Sequence, residues 1–393
     1  MTINPAIDIP SRGFPTAEFE ARLNRAQRLM SQQDIQALLL TTEPEFRYFS
    51  GFLTQFWQSP TRPWFMVVPR HGKPIAVIPE IGADYLNTTW IDDIRTWSSP
   101  APHDDGVSLL RQSLQEAAGA TGRIGVPMGQ ETHLRMPLAD FDSLRTIYSN
   151  AEFVDATSLI RELRLIKSDA EIEKIAHICE IVSGAFEALP ELIAIGDTEV
   201  EIFRKFKIDI LQRGADDVPY LVGGAGAGGY NDIISPPSNR ALQAGDILML
   251  DTGSVFDGYF CDFDRNFAFG YASDAARKAY RVLYQAAEAG LQAAHPGATC
   301  HEIFNSMLKI LETNGASAGT VGRLGHGLGM QLTEWPSHTH FDETVLEPGM
   351  VLTLEPGMSI APGKMMVHEE NIVIREDGPE LLTRRAPTEL PVI

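Results

Sequence analysis

A two-domain α/β architecture is the fold class this sequence predicts, on three observations. The chain has 393 residues, beyond the roughly 250–300 at which a single hydrophobic core stops growing. Its hydrophobic fraction of 44% and charged fraction of 21% are those of an ordinary globular protein with a large core to bury. Helix-like and strand-like periods alternate up to about residue 155 and then give way to a long helix-forming run. That change divides a small N-terminal α/β domain over 1–155 from a C-terminal α+β domain over 156–393.

Within the first domain, residues 17–33 (AEFEARLNRAQRLMSQQ) have helical periodicity and lead into the apolar run IQALLLTT. FRYFSGF and the hairpin-like WFMVVPRHGKPIAVIP follow, and RIGVP at 123–127 with AEFVDAT at 151–157 supply the closing strands. From Ser158 to Leu192 the chain is amphipathic, and Ser168 three residues ahead of Glu171 is a capping-box signature that opens a long helix. The glycine-rich GGAGAGGYND comes next. Its G-x-G-x-x-G-like spacing does not lie between a strand and a helix of a βαβ unit, so it reads as a flexible loop near the active site rather than a phosphate site. Strands are expected at DILMLDTGSVF and GYFCDFDRNFAFG, helices near 274–294 and 300–314, and strands again from Gly325 onward.

The 52 acidic residues outnumber the 32 basic ones, giving a formal charge of −20. That field repels phosphate backbones and anionic lipid, so neither nucleic acid nor a membrane is an expected partner. Cys179, Cys261 and Cys300 lie far apart without C-x-x-C spacing, which indicates neither a disulfide framework nor a zinc knuckle and fits a cytoplasmic location. No basic segment followed by an apolar run opens the sequence, and no stretch of 18 apolar residues occurs in it. The expectation is a chain neither exported by a visible signal nor spanning a membrane.

Chemistry concentrates in the second domain. Asp251 is expected at the end of an apolar strand and Asp262 lies eleven residues on, with Asp257-Gly258 between them as a hairpin turn signal. His326 follows in LGHGLG, Glu355 in LTLEPGM and Glu369 in MVHEENIVI. Each ionised carboxylate in an apolar run loses several kcal/mol of solvation unless a cation compensates. Hard oxygen donors with one imidazole suit Mn²⁺, Co²⁺, Fe²⁺ or Zn²⁺, and so many carboxylates permit bridging between two ions.

LDTG, GYFCDFDRNF, GHGLG, PGMVLTLEPGM and EENIVI resemble, in the same order and over nearly the whole chain, the metal motifs of the prolidase, aminopeptidase P and creatinase family. The resemblance implies a creatinase-type N-terminal domain and a pseudo-twofold "pita-bread" catalytic domain. It implies that Asp251, Asp262, His326, Glu355 and Glu369 hold two divalent ions, with Mn²⁺ the first choice and Co²⁺, Zn²⁺ or Fe²⁺ the others. Glu355 and His326 take the catalytic roles, Glu355 helping to deprotonate a water that bridges the metals and attacks as hydroxide. The implied protein is a homodimeric hydrolase of a small C–N bonded substrate, similar to Xaa-Pro dipeptidases and aminopeptidases.

The sequence departs from the peptidase pattern at three positions where that family usually has histidine: Ile234, Gly322 and Thr333. Ile and Gly neither bind an oxyanion nor shuttle a proton, and Thr333 keeps only a hydrogen-bonding hydroxyl toward substrate. These departures leave open a creatinase-like or ectoine-type ring hydrolase, a dimethylsulfoniopropionate-lyase-like activity, or an inactive binding module on the same fold. His338, His340 and His368 read as ordinary loop histidines. Arg62, in SPTRPWFMVVP, resembles the arginine that creatinase sends across its dimer interface to the substrate carboxylate. Trp57 and Trp64 beside it are interface walls, pocket walls or core. Asp264, two residues past Asp262 on the same strand face, is a further metal ligand, a partner of Arg265 or a recognition group for a cationic substrate.

Overall fold

A computed structural model describes residues 9–59, 62–316 and 322–393. The chain forms two compact units that divide between Arg164 and Leu165, one helix later than the change of pattern near residue 155.

The first unit runs α1 (Thr16–Gln32), β1 (Ala37–Leu40), α2 (Glu43–Ser50), β2 (Phe65–Pro69), β3 (Ile75–Pro79), α3 (Ala83–Leu86), β4 (Asp93–Trp97), α4 (Val107–Ala118), β5 (Arg123–Val126), α5 (Leu138–Ile147), β6 (Glu152–Asp155) and α6 (Thr157–Leu165). The six strands form one mixed sheet in the order β4-β3-β2-β1-β5-β6. β1 is the apolar run ALLL, buried at every position because strands pair on both of its sides. Leu39, Val67, Val77, Leu110, Leu114 and Ile124 meet in the core. Trp57 and Trp64 pack with Phe46 and Phe52, ring centroids 5.3–6.3 Å apart, and both indoles are buried. They are core residues of this unit, not walls of a cavity.

The second unit repeats a pattern of two helices followed by antiparallel strands. Its first half is α7 (Asp169–Leu192), α8 (Glu199–Arg213), β7 (Asp217–Ala227), β8 (Asp246–Phe256), β9 (Tyr259–Phe260) and β10 (Phe263–Ala268). Its second half is α9 (Asp274–Ala293), α10 (Cys300–Thr313), β11 (His326–Gly327), β12 (Glu334–Ser337), β13 (Val351–Leu354), β14 (Gly357–Ala361), β15 (Lys364–Val367), β16 (Glu370–Arg375) and β17 (Gly378–Leu381). The expected capping box is present: the Ser168 hydroxyl accepts from the Glu171 amide and Glu171 accepts from the Ser168 amide. One sheet orders β10-β8-β7 with β9 on β8, a second β12-β11-β13-β16-β17, and β14 pairs with β15 in a third. Helices α9 and α10 supply Ala279, Leu283, Ile303 and Met307 to the core, where Ile247, Met249, Leu352 and Ile372 meet them from the strands.

Two local expectations change. GGAGA is not a loop: it is the second half of β7, paired residue for residue with β8 from Gly223↔Leu250 to Ala227↔Asp246. Glycine is needed because the backbones approach closely. A Cβ at Gly223, whose φ is 141°, would stand 2.1 Å from the Met249 carbonyl oxygen. Asp251 is not a strand end but the centre of β8, which continues to Phe256. Ladder pairing on both sides, with Val222 and Asp264, is indifferent to side-chain polarity, so a polar run in sequence did not stop the strand. The turn that does follow is Asp257-Gly258, both in the left-handed region at φ 46° and 78°.

Candidate metal centre

His326 is the best-defined candidate ligand. Its amide donates to Thr353 Oγ1 at 3.0 Å, and its Nδ1 lies 2.8 Å from the Gly327 carbonyl oxygen. A carbonyl only accepts, so Nδ1 carries the proton and the Nε2 lone pair is left exposed to the site. That nitrogen is 3.5 Å from Asp262 Oδ2 and 3.8 Å from Glu355 Oε1. Burial pushes the imidazole down to about 3, with the charge of Arg323 adding to the shift, so the ring is neutral at any ordinary pH. Asp262, His326 and Glu369 each bring a ligand atom within 4.8 Å of the others.

Asp251 and Glu355 adjoin this triad. Both carboxyls are pushed up to about 7 by burial; Tyr220 opposes the shift at Asp251, and Arg323 opposes it at Glu355. Asp262 and Glu369 go well above the usual carboxylate range, burial again leading and their acidic neighbours adding. Asp251 Oδ1 and Glu369 Oε1 are buried without a hydrogen-bond partner among the described residues. A lone pair and several carboxylate oxygens turned toward one another, two of those oxygens unpartnered, repel unless a cation lies between them. The donor set is oxygen-rich, holds one imidazole and no thiolate, and fits hard divalent ions. Cys261, although next to Asp262, has its thiol pushed up by burial and offers no thiolate.

Three residues that sequence reasoning did not single out hold the ligands in place. The Asn371 side chain accepts from the Asp262 amide at 2.9 Å and donates to the Asp262 carbonyl. Thr353 fixes His326. Arg265 donates to the carbonyls of Asp264 and Glu369, both at 2.7 Å, and its other terminal nitrogen donates to Glu370 Oε2 at 2.8 Å and to the Arg384 carbonyl at 2.7 Å. The signal available for Asn371 and Thr353 was a polar residue inside an apolar strand run.

The remaining expected residues fall as follows. Arg265 takes the Asp264 carbonyl and not its carboxylate, so Asp264 is not its salt-bridge partner. The Asp264 side chain is buried, accepts from Asn266 Nδ2 at 3.2 Å and is pushed well up by burial and by Asp251, its partner across the ladder. Thr333 is half-buried just ahead of β12, with Arg323 Nη2 at 3.5 Å. Ile234 is exposed after β7, and among the described residues nothing lies within 4 Å of a Cβ added at Gly322. Of the three loop histidines only His340 is exposed. His338 is buried and pushed down to about 4, and His368 is buried against Tyr280 and Tyr284 with Nε2 3.4 Å from Glu370. Arg62, in the first unit, stacks over Phe56 at 5.2 Å and makes no ion pair among the described residues.

Comparison with known proteins agrees with this geometry. Residues 173–376 match the model of "Metallopeptidase family M24" and residues 22–166 that of the "Creatinase/Prolidase N-terminal domain". The chain is 31% identical over 237 residues to the Xaa-Pro dipeptidase of Pyrococcus furiosus, covering 59% of this chain and 67% of that one. It is 26% identical over 395 residues to the probable dipeptidase PepE of Mycobacterium tuberculosis, covering 98% and 99%. The crystal structure of dipeptidase PepE from Mycobacterium ulcerans superposes with a TM-score of 0.83 at 27% identity, covering 97% and 99%. Prolidase from Thermococcus sibiricus shares the fold, with a TM-score of 0.85 at 24% identity over 95% and 99%. The two-unit fold, the donor set and these matches together make the chain a member of metallopeptidase family M24, a hydrolase with a creatinase/prolidase N-terminal domain and a pita-bread domain built for divalent metal ions.

Proposed function

We propose that the protein is a two-metal dipeptidase that hydrolyses the peptide bond of short substrates, Xaa-Pro dipeptides first among them. The observation that carries this reading is the convergence of Asp262, Glu369 and the Nε2 of His326, with Asp251 and Glu355 beside them. Relatives named as dipeptidases align over almost the full chain and support the substrate class. Bound divalent ions supply Lewis-acid polarisation of the scissile carbonyl and acidify the attacking water. Asp251, Asp262, His326, Glu355 and Glu369 hold them. Glu355, whose Oε1 lies 3.8 Å from His326 Nε2, would take the proton from the attacking water and pass it to the departing amine nitrogen. His326 stays neutral because burial and the charge of Arg323 disfavour its charged form, and the Gly327 carbonyl keeps its single proton on Nδ1.

Mn²⁺ is the proposed ion, since four carboxylates and one imidazole form a hard donor set. A cytoplasmic location fits three free, buried cysteines. A homodimer completes the proposal, with Arg62 reaching the partner's site. The test is turnover of Ala-Pro and Leu-Pro by Mn²⁺-loaded protein. Wild type should hydrolyse both, and Glu355→Gln should lose at least about 10²-fold in kcat with its near-UV circular dichroism unchanged. Turnover of creatine or ectoine, with both prolyl dipeptides untouched, would replace this reading.

A further inference from the structure

The centre holds one carboxylate more than the five-residue set uses. Asp264 lies directly opposite Asp251 in the ladder of β8 and β10 and two residues beyond Asp262, so all three side chains take the same face of the sheet. Residues opposite one another in an antiparallel pair stand about 4.5–5.5 Å apart at Cβ, close enough for both carboxylates to reach one cation. Asp264 is 1% exposed, and no protein cation answers its charge. Arg265, the next residue, is committed to Glu370 and to the carbonyls of Asp264, Glu369 and Arg384. What Asp264 does receive is one neutral hydrogen bond, from Asn266 Nδ2 to Oδ1 at 3.2 Å, and the polarity of that bond is fixed from behind. Asn266 Nδ2 also donates to the Val367 carbonyl at 2.7 Å, the Val367 amide donates to Tyr230 Oη at 2.7 Å, and that hydroxyl passes its hydrogen to Asn266 Oδ1 at 3.0 Å. Asn266 therefore shows Asp264 an N–H, Oδ1 is an acceptor, and Oδ2 has no donor among the described residues. Nearby, Asp251 Oδ1 and Glu369 Oε1 likewise have no partner among them. A buried carboxylate with a single weak neutral bond costs several kcal/mol unless a cation lies beside it.

We propose that Asp264 is a further metal ligand, its Oδ2 binding the same divalent ion as Asp251, so that the centre has five carboxylates and one imidazole. This rests on the two-metal reading above and not on which bond is cut. Five ionised carboxylates are balanced by two divalent ions and the guanidinium of Arg323, which stands 3.7 Å from Glu355, so the loaded centre is neutral before a hydroxide enters. The added anionic oxygen suits a hard ion that accepts many oxygen donors. Engaged on the ion, Asp264 is not available to recognise a cationic substrate.

The test does not depend on turnover. Mn²⁺ is titrated calorimetrically into metal-free wild type, Asp264→Asn, Asp264→Glu and Glu389→Gln proteins, with bound metal counted by elemental analysis. Asparagine keeps an oxygen for Asn266 and can donate to Asp251 as a protonated Asp264 would, but it supplies no anionic oxygen. Wild type should bind two equivalents, and Asp264→Asn should bind one of them about 10–100-fold more weakly with its near-UV circular dichroism unchanged. Asp264→Glu, which returns the charge on a longer stem, should recover part of the loss. Glu389→Gln removes a carboxylate whose side chain is 61% exposed and should bind like wild type. Equal affinities of wild type and Asp264→Asn would overturn the proposal and leave a proton between Asp264 and Asp251; an equal loss in Glu389→Gln would overturn it by reducing the effect to net charge. If Asp264→Asn does not fold, a crystal structure of Mn²⁺-loaded wild type decides: Asp264 Oδ2 within about 2–2.5 Å of an anomalous metal peak supports the assignment, and Oδ2 hydrogen-bonded to Asp251 instead overturns it. Wild type that binds no divalent ion would sink the two-metal reading and this one with it, whereas tight binding by both wild type and Asp264→Asn sinks this one alone.

Discussion

Arg265 shows how a side chain with no bond to an ion can govern a metal centre. Its guanidinium ties the backbone of Asp264 to that of Glu369 and neutralises Glu370, so two ligand-bearing segments move as one. Burial would raise the Glu370 carboxyl; Arg265, His368 and Thr383 outweigh it and hold the group at about 2. For an acid whose folded value lies below its unfolded one, the stability is present above about 4.5 and is lost as pH falls toward about 2. Arg265→Ala strands a buried carboxylate and should cost about 3–5 kcal/mol in urea unfolding of the metal-loaded protein, with metal affinity lowered about 10–100-fold. A loss below about 1 kcal/mol would mean that Glu370 finds other partners. Arg265 was visible in the sequence only as a neighbour of Asp264, because spacing along a strand tells which face a side chain takes but not which carbonyls lie opposite. The four carboxylates Asp251, Asp262, Glu355 and Glu369 stood out as candidates for the reverse reason: a carboxylate in an apolar run is costly wherever the fold puts it.

At the scale of elements, the period of the chain placed most of the architecture. The helix read over 17–33 is Thr16–Gln32, those near 274–294 and 300–314 are Asp274–Ala293 and Cys300–Thr313, and both the capping box and the Asp257-Gly258 turn are where their residues put them. The failures share one cause. β7 looked like a loop because glycine has no strand preference, and Asp251 looked like a strand end because the apolar run stops there, although DILMLDTGSVF as a whole was expected as a strand and is β8; in both cases the neighbouring strand decides the conformation. Gly223→Ala tests this directly. A Cβ 2.1 Å from the Met249 carbonyl oxygen, at φ 141°, forces β7 away from β8, and we expect about 2–4 kcal/mol of destabilisation together with loss of metal, since Asp251 faces Val222 next to Gly223 in that ladder. Gly196→Ala, also at positive φ but with nothing within 4 Å, separates backbone strain from the clash. It should lower thermal stability by less and leave metal content intact; equal effects of the two variants would remove close approach as the reason for glycine in β7.

For the whole molecule, the decisive quantity is the number of buried carboxylates that fold against their own charge. Asp251 and Glu355 are pushed up to about 7, and Asp262 and Glu369 lie well above the carboxylate range. An unfolded chain would release those protons near 4, so between about 4 and 7 the folded, metal-free protein binds more protons than the unfolded one. Stability must then be greatest at the acid end of that window and fall as pH rises through it, opposite to the usual effect of salt-bridged acids such as Glu370. Divalent ions reverse the balance by displacing the protons and stabilising the ionised carboxylates. Metal-free protein should therefore melt at progressively lower temperature from pH 5.5 to pH 8, by on the order of a few kcal/mol in all, while Mn²⁺-loaded protein should show little slope over the same range. Calorimetric titration with Mn²⁺ at pH 6 in buffers of different ionisation enthalpy should reveal net proton release, diminishing by pH 8. Parallel slopes with and without metal, or binding without proton release at pH 6, would show that the carboxylates are already ionised and balanced by protein cations alone, which would remove the electrostatic reason for placing the metals among Asp251, Asp262, His326, Glu355 and Glu369.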